Sequence, residues 1–271
     1  MPIEQIIVLA IVQGITEFLP ISSSGHLILI PVFTGWPDQG IVSDVMVHMG
    51  SLAAVLVYFW RDVVRLIKGG IELLRLRMTD DSRMALYIIL ATIPAVGFGL
   101  FLKLSGLADA MRGVEVVAWN AIIFGLVMLA ADRFGTTFKR MDDMQLRPAV
   151  LIGLAQALAL VPGTSRSGVT MSAARVLGFG RAEAARFSFL LGIPAIAGAG
   201  LFTIIDLRES GQSIPADALM AAGLTFLSAL ASIAFLMTLL KRVTFLPFVI
   251  YRLILGGFLL YLAYSGALAG A

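Results

Sequence analysis

The 271-residue chain carries too little charge for a water-soluble protein of its size. Hydrophobic residues make up 59% and charged residues 14%, and the mean hydropathy is +0.95, whereas soluble domains carry about 25% charged residues. The composition therefore predicts one polytopic membrane domain over residues 1–271. The absence of cysteine excludes disulfides, thiolate metal sites and cysteine nucleophiles.

Six apolar stretches are long enough to cross a bilayer, which takes about 20 helical residues. They are predicted at 44–60, 84–104, 114–131, 185–206, 217–240 and 247–267. Four shorter apolar stretches lie at 2–19, 23–35, 147–161 and 165–178. Pro20 and Pro162 interrupt them, so pairs of short helices that enter and leave by one face fit better than crossings. The expected fold is an all-α integral membrane protein with about six transmembrane helices and two re-entrant helix pairs.

Basic residues are distributed unevenly over the two sides of these spans. Fourteen lie in segments on one side, and only Lys103, Arg112 and Arg208 lie on the other. The largest group falls in one loop and comprises Arg61, Arg65, Lys68, Arg75, Arg77 and Arg83. By the positive-inside rule the fourteen face the cytoplasm and both termini face outwards. Topology and anionic headgroups thus account for the net charge of +3, and no nucleic-acid partner is expected.

A short pattern of Gln, Ser, Ser and Gly occurs twice with the same spacing. The copies are Gln13-(x8)-Ser22-x-Ser24-Gly25 and, 143 positions later, Gln156-(x8)-Ser165-x-Ser167-Gly168. Each copy is followed by three predicted spans, and because three is odd the second half enters from the opposite side. The pattern indicates an inverted-topology repeat of about 1–143 and 144–271, with a site where the broken helices meet.

Ionisable and polar side chains lie inside the short apolar stretches. A charged side chain at the bilayer centre costs at least about 2.5–3.5 kcal/mol, so such residues are candidates for a functional site. Those of interest are Gln13, Glu17, Ser22, Ser23, Ser24 and His26 in the first half and Gly163, Ser165, Arg166, Ser167 and Thr170 in the second. Taken alone, Glu17 and Arg166 fit a structural ion pair as well as a functional one, and the serines fit helix caps.

The combination favours phosphate chemistry. Both serine clusters precede apolar helical runs, so hydroxyl groups, glycine and free backbone N–H groups meet at a helix N-terminus. Arg166 adds a planar fork for two phosphate oxygens, and His26 adds a group that passes protons near neutral pH. Because Glu17 and Arg166 cancel in charge, we expect a divalent cation, Mg²⁺ or Ca²⁺, between Glu17 and the phosphates.

Two motifs in these regions resemble the undecaprenyl-diphosphate phosphatase family of the bacitracin-resistance type. They are Gln13-Gly-Ile-Thr-Glu17-Phe-Leu-Pro-Ile-Ser-Ser-Ser-Gly-His26 and Pro162-Gly-Thr-Ser-Arg-Ser-Gly-Val-Thr170. The resemblance implies a multi-pass enzyme of the bacterial plasma membrane that hydrolyses undecaprenyl diphosphate to undecaprenyl phosphate. This polyprenyl lipid carries peptidoglycan precursors, and the activity confers bacitracin resistance. The resemblance also implies an active site open to the extracytoplasmic face.

Matched to the family's motifs, the resemblance implies a functional set of Glu17, Ser23, His26, Ser165, Arg166, Ser167 and Thr170. The roles of individual residues are our hypothesis. Arg166, Ser165, Ser167 and Thr170 hold the phosphates, with Gln13, Ser22, Ser24 and Gly163 as further substrate-binding residues. Ser23 is the preferred nucleophile with His26 as acid and base, and attack by His26 itself or by water stays open. Glu17 binds the metal, with general base as its second role. Gln13 occupies a position where some members carry Glu, so the metal depends on Glu17 alone.

Two further points concern a polar pair in the first span and an alternative function. Asp44 and His48 are four residues apart on one face of a span. We expect a contact at the interface outside the site, with a relay of protons into the site as the alternative. The alternative function is an inverted-repeat secondary transporter or lipid flippase, since such carriers share the predicted architecture. The sequence makes no prediction of the oligomeric state.

Overall fold

A computed structural model describes residues 1–111, 113–136, 139–209, 211 and 213–265, with only the backbone at 108 and 109. Arg112, predicted on the outer side, lies outside the described residues. In chain order the helices are α1 (Ile3–Thr16), α2 (Ser23–Thr34), α3 (Gly40–Tyr58), α4 (Trp60–Leu74), α5 (Asp80–Ser105), α6 (Leu107–Ala110), α7 (Val114–Phe134), α8 (Leu146–Leu158), α9 (Arg166–Val176), α10 (Arg181–Glu209), α11 (Ala216–Leu239) and α12 (Leu246–Tyr264). A single 3₁₀ turn at Met141–Asp143 is the other helical element of the described chain. The all-α class is confirmed.

Six helices are long and apolar enough to cross a membrane: α3, α5, α7, α10, α11 and α12. Their mean hydropathy is 1.7 to 2.2, and the shortest has 19 residues, about 28 Å of helix. They match the six predicted spans to within four residues at every described end. The helix α5 begins earlier than predicted because a capping box supports a polar first turn. In that box, Thr79 Oγ1 accepts from the Ser82 N–H at 3.2 Å and Ser82 Oγ accepts from the Thr79 N–H at 2.7 Å.

The segment after the first span is helical, and its interpretation as a loop is wrong. The helix α4 follows α3 after a single residue, Phe59, and has 15 residues. Its apolar side chains recur every three or four positions, at Trp60, Val64, Ile67 and Ile71. This is the period of an amphipathic helix, a signal that a count of charges alone does not register.

Four helices that are too short to cross a bilayer form two pairs, α1 with α2 and α8 with α9. The helices α1 and α2 have 14 and 12 residues, and α8 and α9 have 13 and 11, so none exceeds about 21 Å. In the first pair α1 packs on α2 and α11, and in the second α8 packs on α9 and α5. The first helix of each pair thus packs on the second span of the opposite half, α1 on α11 and α8 on α5. An inverted repeat would produce this arrangement, and the repeat itself stays a prediction.

The linkers of the two pairs meet inside the protein. Ser167 Oγ donates to the Leu19 carbonyl of the first linker at 3.2 Å. From α12, Arg252 donates to the carbonyls of Pro20 and Gly163, one in each linker, at 3.3 and 2.9 Å. The same guanidinium also donates to two carbonyls of α7. A buried arginine thus joins both linkers to the long helices, and its five donors suit a group of backbone acceptors.

Arg252 contacts the first half of α7, and a buried charge network holds the C-terminal end of the same helix. Asp132 Oδ1 accepts from Arg175 Nε at 3.0 Å and from Arg181 Nε at 2.7 Å, and its Oδ2 accepts from the Phe245 N–H at 2.9 Å. These bonds tie α7 to α9, α10 and the start of α12. Charges buried in this way are stable only when they are paired and fully hydrogen-bonded.

Candidate active site

The two linkers end in serines with the same unusual backbone conformation. Ser22 has a φ of 77° and Ser165 a φ of 71°, a region that residues other than glycine rarely adopt. Each hydroxyl oxygen accepts a hydrogen bond from the N–H three residues on, Gly25 at 3.4 Å and Gly168 at 3.1 Å. These serines are therefore N-caps of α2 and α9, which leaves the other N–H groups of each first turn without helical acceptors.

Glu17 and Arg166 meet although 149 positions separate them in the chain. Glu17 Oε1 accepts from Arg166 Nη2 at 2.9 Å, and the glutamate is only 5% exposed. Arg166 Nη1 also donates to the Ser188 carbonyl of α10 at 3.1 Å. Gly192 makes room for this arrangement, because a Cβ at that position would lie 2.0 Å from Nη1. The two predicted charges thus come together where the helix pairs adjoin.

The second oxygen of Glu17 contacts a hydroxyl, an amide and an imidazole. Ser23 Oγ donates to Oε2 at 2.6 Å, and Gln13 Nε2 donates to it at 3.1 Å. His48 Nε2 lies 3.5 Å from the same oxygen. A short bond from a serine to a buried carboxylate is the arrangement of a nucleophile beside its general base. The geometry thus pairs Ser23 with Glu17.

His26 lies away from the Glu17–Ser23 pair. Its Nδ1 is 2.7 Å from the Ser22 carbonyl and its Nε2 is 2.6 Å from the Tyr251 hydroxyl of α12, with the two rings stacked at 5.7 Å. Because a carbonyl only accepts, Nδ1 carries the proton in this tautomer. The structure does not bring His26 to Ser23, although three positions separate them in α2. Ser23 points towards Glu17, whereas His26 points towards α12.

His48 is the residue that sequence reasoning left out of the site. Its Nδ1 donates to the Asp44 carbonyl at 2.6 Å, so Nε2 is the atom that faces Glu17. The expected contact with Asp44 exists, but through the backbone. The available signal was that the chain has only two histidines and that His48 lies within an apolar span.

A cavity of about 290 Å³ lies beside these groups. Its polar lining residues are Glu17, Ser22, Ser23, Ser24, Asp44, His48, Ser165 and Arg166. Its apolar lining residues are Val45, Ala159, Ala195, Ile196 and Ala199. The cavity thus combines hydroxyl groups, two carboxylates and a guanidinium with aliphatic side chains that can contact a lipid chain.

The remaining predicted site residues lie behind the cavity wall. Ser167 contacts the first linker, and Thr170 Oγ1 lies 2.6 Å from Ser188 Oγ and donates to the Arg166 carbonyl at 2.7 Å. Gly163 has a φ of +87°, and a Cβ there would lie 2.5 Å from the Val117 carbonyl oxygen. Gln13 is buried beneath Glu17. In this conformation these residues shape and support the wall.

The carboxylates around the cavity are few. Within the described part of the chain no group of three or more His, Cys, Asp or Glu residues could hold a metal ion. Glu17 is the buried carboxylate beside the helix N-termini, and Arg166, Ser23 and Gln13 already contact it. A divalent cation at this site would take most of its ligands from a bound phosphate and from water.

A serine bonded to a buried carboxylate beside an arginine, in one cavity of a helical membrane protein, fits the class of integral membrane phosphatases. The comparisons with known proteins agree with this class. The chain belongs to the BacA family, described as bacitracin resistance protein BacA, whose model matches residues 6–258.

Curated relatives match along nearly their whole length. An undecaprenyl-diphosphatase of Jannaschia sp. (strain CCS1) is 51% identical over 95% of this chain and 97% of its own. The undecaprenyl-diphosphatase of Alcanivorax borkumensis is 49% identical over 95% and 97%. That of Erythrobacter litoralis is 48% identical over 93% and 96%.

Proposed function

We propose that the protein hydrolyses undecaprenyl diphosphate to undecaprenyl phosphate and inorganic phosphate, and so recycles the lipid carrier of peptidoglycan synthesis. The observation that carries the proposal is the contact of Ser23 and Arg166 with the two oxygens of Glu17 in one cavity. The curated relatives named undecaprenyl-diphosphatase support the choice of substrate. Resistance to bacitracin follows from the family.

Ser23 attacks the terminal phosphorus of the diphosphate in the proposed first step. As the new O–P bond forms, the hydroxyl proton passes to Glu17 Oε2, to which it is already bonded at 2.6 Å. The bond from the terminal phosphorus to the bridging oxygen breaks, and undecaprenyl phosphate leaves. Water then hydrolyses the phosphoserine and releases inorganic phosphate. A direct attack of water activated by Glu17 is the second route.

Arg166 and the two helix N-termini stabilise the charge that develops on the phosphoryl oxygens. The arginine offers planar donors, and the first turns of α2 and α9 offer backbone N–H groups with the positive ends of their helix dipoles. Direct attack by His26 is disfavoured, because both of its ring nitrogens contact other groups and it is not among the residues that line the cavity.

A divalent cation, Mg²⁺ or Ca²⁺, is part of the proposal, with Glu17 as its protein ligand. The donor set fits an ion that arrives with the diphosphate, because Glu17 is the buried carboxylate beside the helix N-termini and the substrate supplies phosphate oxygens. When bound, such an ion neutralises charge on the phosphates and on the leaving group. The protein's own groups position the substrate and move the proton.

The cavity opens to the extracytoplasmic face of the bacterial plasma membrane in this proposal. Asp44 and His48 line it from the first half of α3, whereas the basic segment follows the last residue of α3. In α10 the cavity begins at Ala195, whereas Arg181 and Arg186 lie at the start of the helix. Both helices support an opening on the side opposite the basic segments.

The decisive experiment measures phosphate release from undecaprenyl diphosphate by the purified full-length protein in detergent, with and without chelator. We expect turnover by the parent and a loss of at least about 100-fold in Glu17→Ala and Arg166→Ala. Glu115→Ala and Arg147→Ala, at exposed positions, are the matched controls and should keep the parent rate. A secondary transporter or flippase would release no phosphate, because it moves its substrate without breaking the phosphoanhydride bond.

A further inference from the structure

The helix α4 exposes a continuous apolar stripe. Trp60, Val64, Ile67, Ile71 and Leu74 follow the helical period on one face, and they are 47% to 86% exposed. Isolated exposed apolar side chains are ordinary, but an ordered stripe beside a membrane span is an interaction surface. Since α3 ends at Tyr58, the stripe begins where the chain leaves the first span.

The opposite face of α4 is fixed against α5. Gly69 lets the two backbones approach so closely that a Cβ there would lie 2.1 Å from the Asp81 carbonyl oxygen. Arg65 Nε and Lys68 Nζ bond to the Asp81 carboxylate at 2.8 and 3.3 Å. The packing of α4 on α5 therefore turns the apolar stripe away from the protein.

Two arginines at the end of α4 have no acidic partner within 4 Å among the described residues: Arg75 and Arg77. The nearby Glu72 is occupied, because it receives the Thr79 hydroxyl and lies 3.7 Å from Lys68 Nζ. The exposed end of α4 therefore carries two guanidinium groups that form no ion pair with a described carboxylate.

The stripe and these cations border one groove of about 340 Å³. Val64, Ile67 and Ile71 line its apolar part, and Lys68, Glu72, Arg75 and Arg77 line its polar part. An elongated apolar surface that ends in guanidinium groups is complementary to a molecule with an acyl chain and a phosphate.

We propose that this groove binds an anionic diacyl phospholipid of the adjacent leaflet. The phosphate lies between Arg75 and Arg77, and an acyl chain follows the apolar stripe. Each basic residue at a membrane surface raises the affinity for anionic lipid about fivefold. Amphipathic helices of this kind lie at the headgroup boundary. Under the positive-inside assignment this is the cytoplasmic leaflet, so the groove is distinct from the catalytic cavity and independent of the proposed hydrolysis.

The chain has no cysteine, so a single introduced cysteine can carry an environment-sensitive fluorophore. Ile71→Cys places the label in the groove, and Ile123→Cys places it on α7 at a nearly equal exposure, 49% against 47%. Both labelled proteins are reconstituted in nanodiscs of fixed phosphatidylcholine and phosphatidylglycerol content. The nitroxide quencher is carried by phosphatidylglycerol in one preparation and by an equal mole fraction of phosphatidylcholine in the other.

At position 71 we expect quenching by phosphatidylglycerol to indicate an enrichment of at least about fivefold over phosphatidylcholine, with no preference at position 123. Arg75→Gln with Arg77→Gln should abolish the preference, whereas Lys103→Gln with Arg208→Gln, the same change in net charge, should keep it. Raising the salt concentration should weaken it in the parent, which tests the proposal without any charge variant. Equal quenching by both lipids, or none by either because a second copy covers the stripe, overturns the proposal.

Discussion

Ser23 and Ser24 are neighbours on the wall of one cavity, yet their partners differ. Ser23 Oγ donates to Glu17 Oε2 at 2.6 Å, whereas Ser24 Oγ lies 3.4 Å from the Ser22 hydroxyl. We expect Ser23→Ala to lower kcat by about 10³-fold, in the range of a lost nucleophile or its base, and Ser24→Ala to change it less than tenfold. Phosphate release at saturating lipid measures both. Equal losses would remove the reason for assigning the attack to Ser23.

Arg166 uses its two terminal nitrogens in different directions. Nη2 donates to Glu17 and Nη1 to the Ser188 carbonyl, so one planar group spans two anchors. A lysine ammonium is a point charge on a flexible stem and cannot reproduce both bonds. We expect Arg166→Lys to lose about 100-fold in kcat/KM, comparable to a lost transition-state donor. Near-normal hydrolysis by the purified variant would contradict the assignment.

His48 is a residue of the site that could not be identified from the sequence alone. Its Nε2 lies 3.5 Å from Glu17 Oε2, a contact between the first span and the linker that no spacing in the chain encodes. We expect His48→Ala to lower kcat/KM about tenfold or more, because the Glu17 carboxylate loses the imidazole that lies beside it in the cavity. Thermal unfolding in detergent separates this from a folding defect, and an unchanged rate would place His48 outside the reaction.

At the scale of the helix, α10 provides the space that Arg166 occupies. A Cβ at Gly192 would lie 2.0 Å from Arg166 Nη1, whereas one at Gly198 of the same helix would meet nothing within 4 Å. We expect Gly192→Ala to lower kcat/KM at least tenfold by displacing the guanidinium. Gly198→Ala should keep the rate and stabilise the helix by up to about 1 kcal/mol. Equal rates in both variants would show that the arginine tolerates displacement.

Apolar length and helical period decided which elements could be predicted. The six spans were predictable because about 20 uninterrupted apolar residues have one stable solution in a bilayer. The helix α4 was missed because its stripe is interleaved with charges. Glu17 and Arg166 were found as charges in apolar surroundings. The direction of His26 was not found, since the Ser22 carbonyl and the Tyr251 hydroxyl of α12 decide it. Side-chain direction at a helix start depends on tertiary neighbours that a single sequence does not display.

At the scale of the whole molecule, Arg252 connects the parts that build the site. It is 1% exposed, and its guanidinium donates to Pro20, Gly163, Asn120 and Ala121 carbonyls, one in each linker and two in α7. Without it the Pro20 and Gly163 carbonyls of the two linkers lose their donor, and a buried acceptor left unpaired costs about 1–3 kcal/mol. We therefore expect Arg252→Met to lower both the Tm and the rate of phosphate release.

The conservative variant separates positioning from simple stability. Arg252→Lys keeps the charge but reaches fewer of the four carbonyls, so we expect it to recover part of the Tm and less of the rate. Arg208→Met, at the far end of α10, controls for the loss of one basic residue and should leave both values unchanged. Because both linkers carry N-capping serines of the cavity, a shift of either one moves Ser23 relative to Arg166. A variant that keeps full activity despite a lowered Tm would show that the linkers hold their geometry without this arginine.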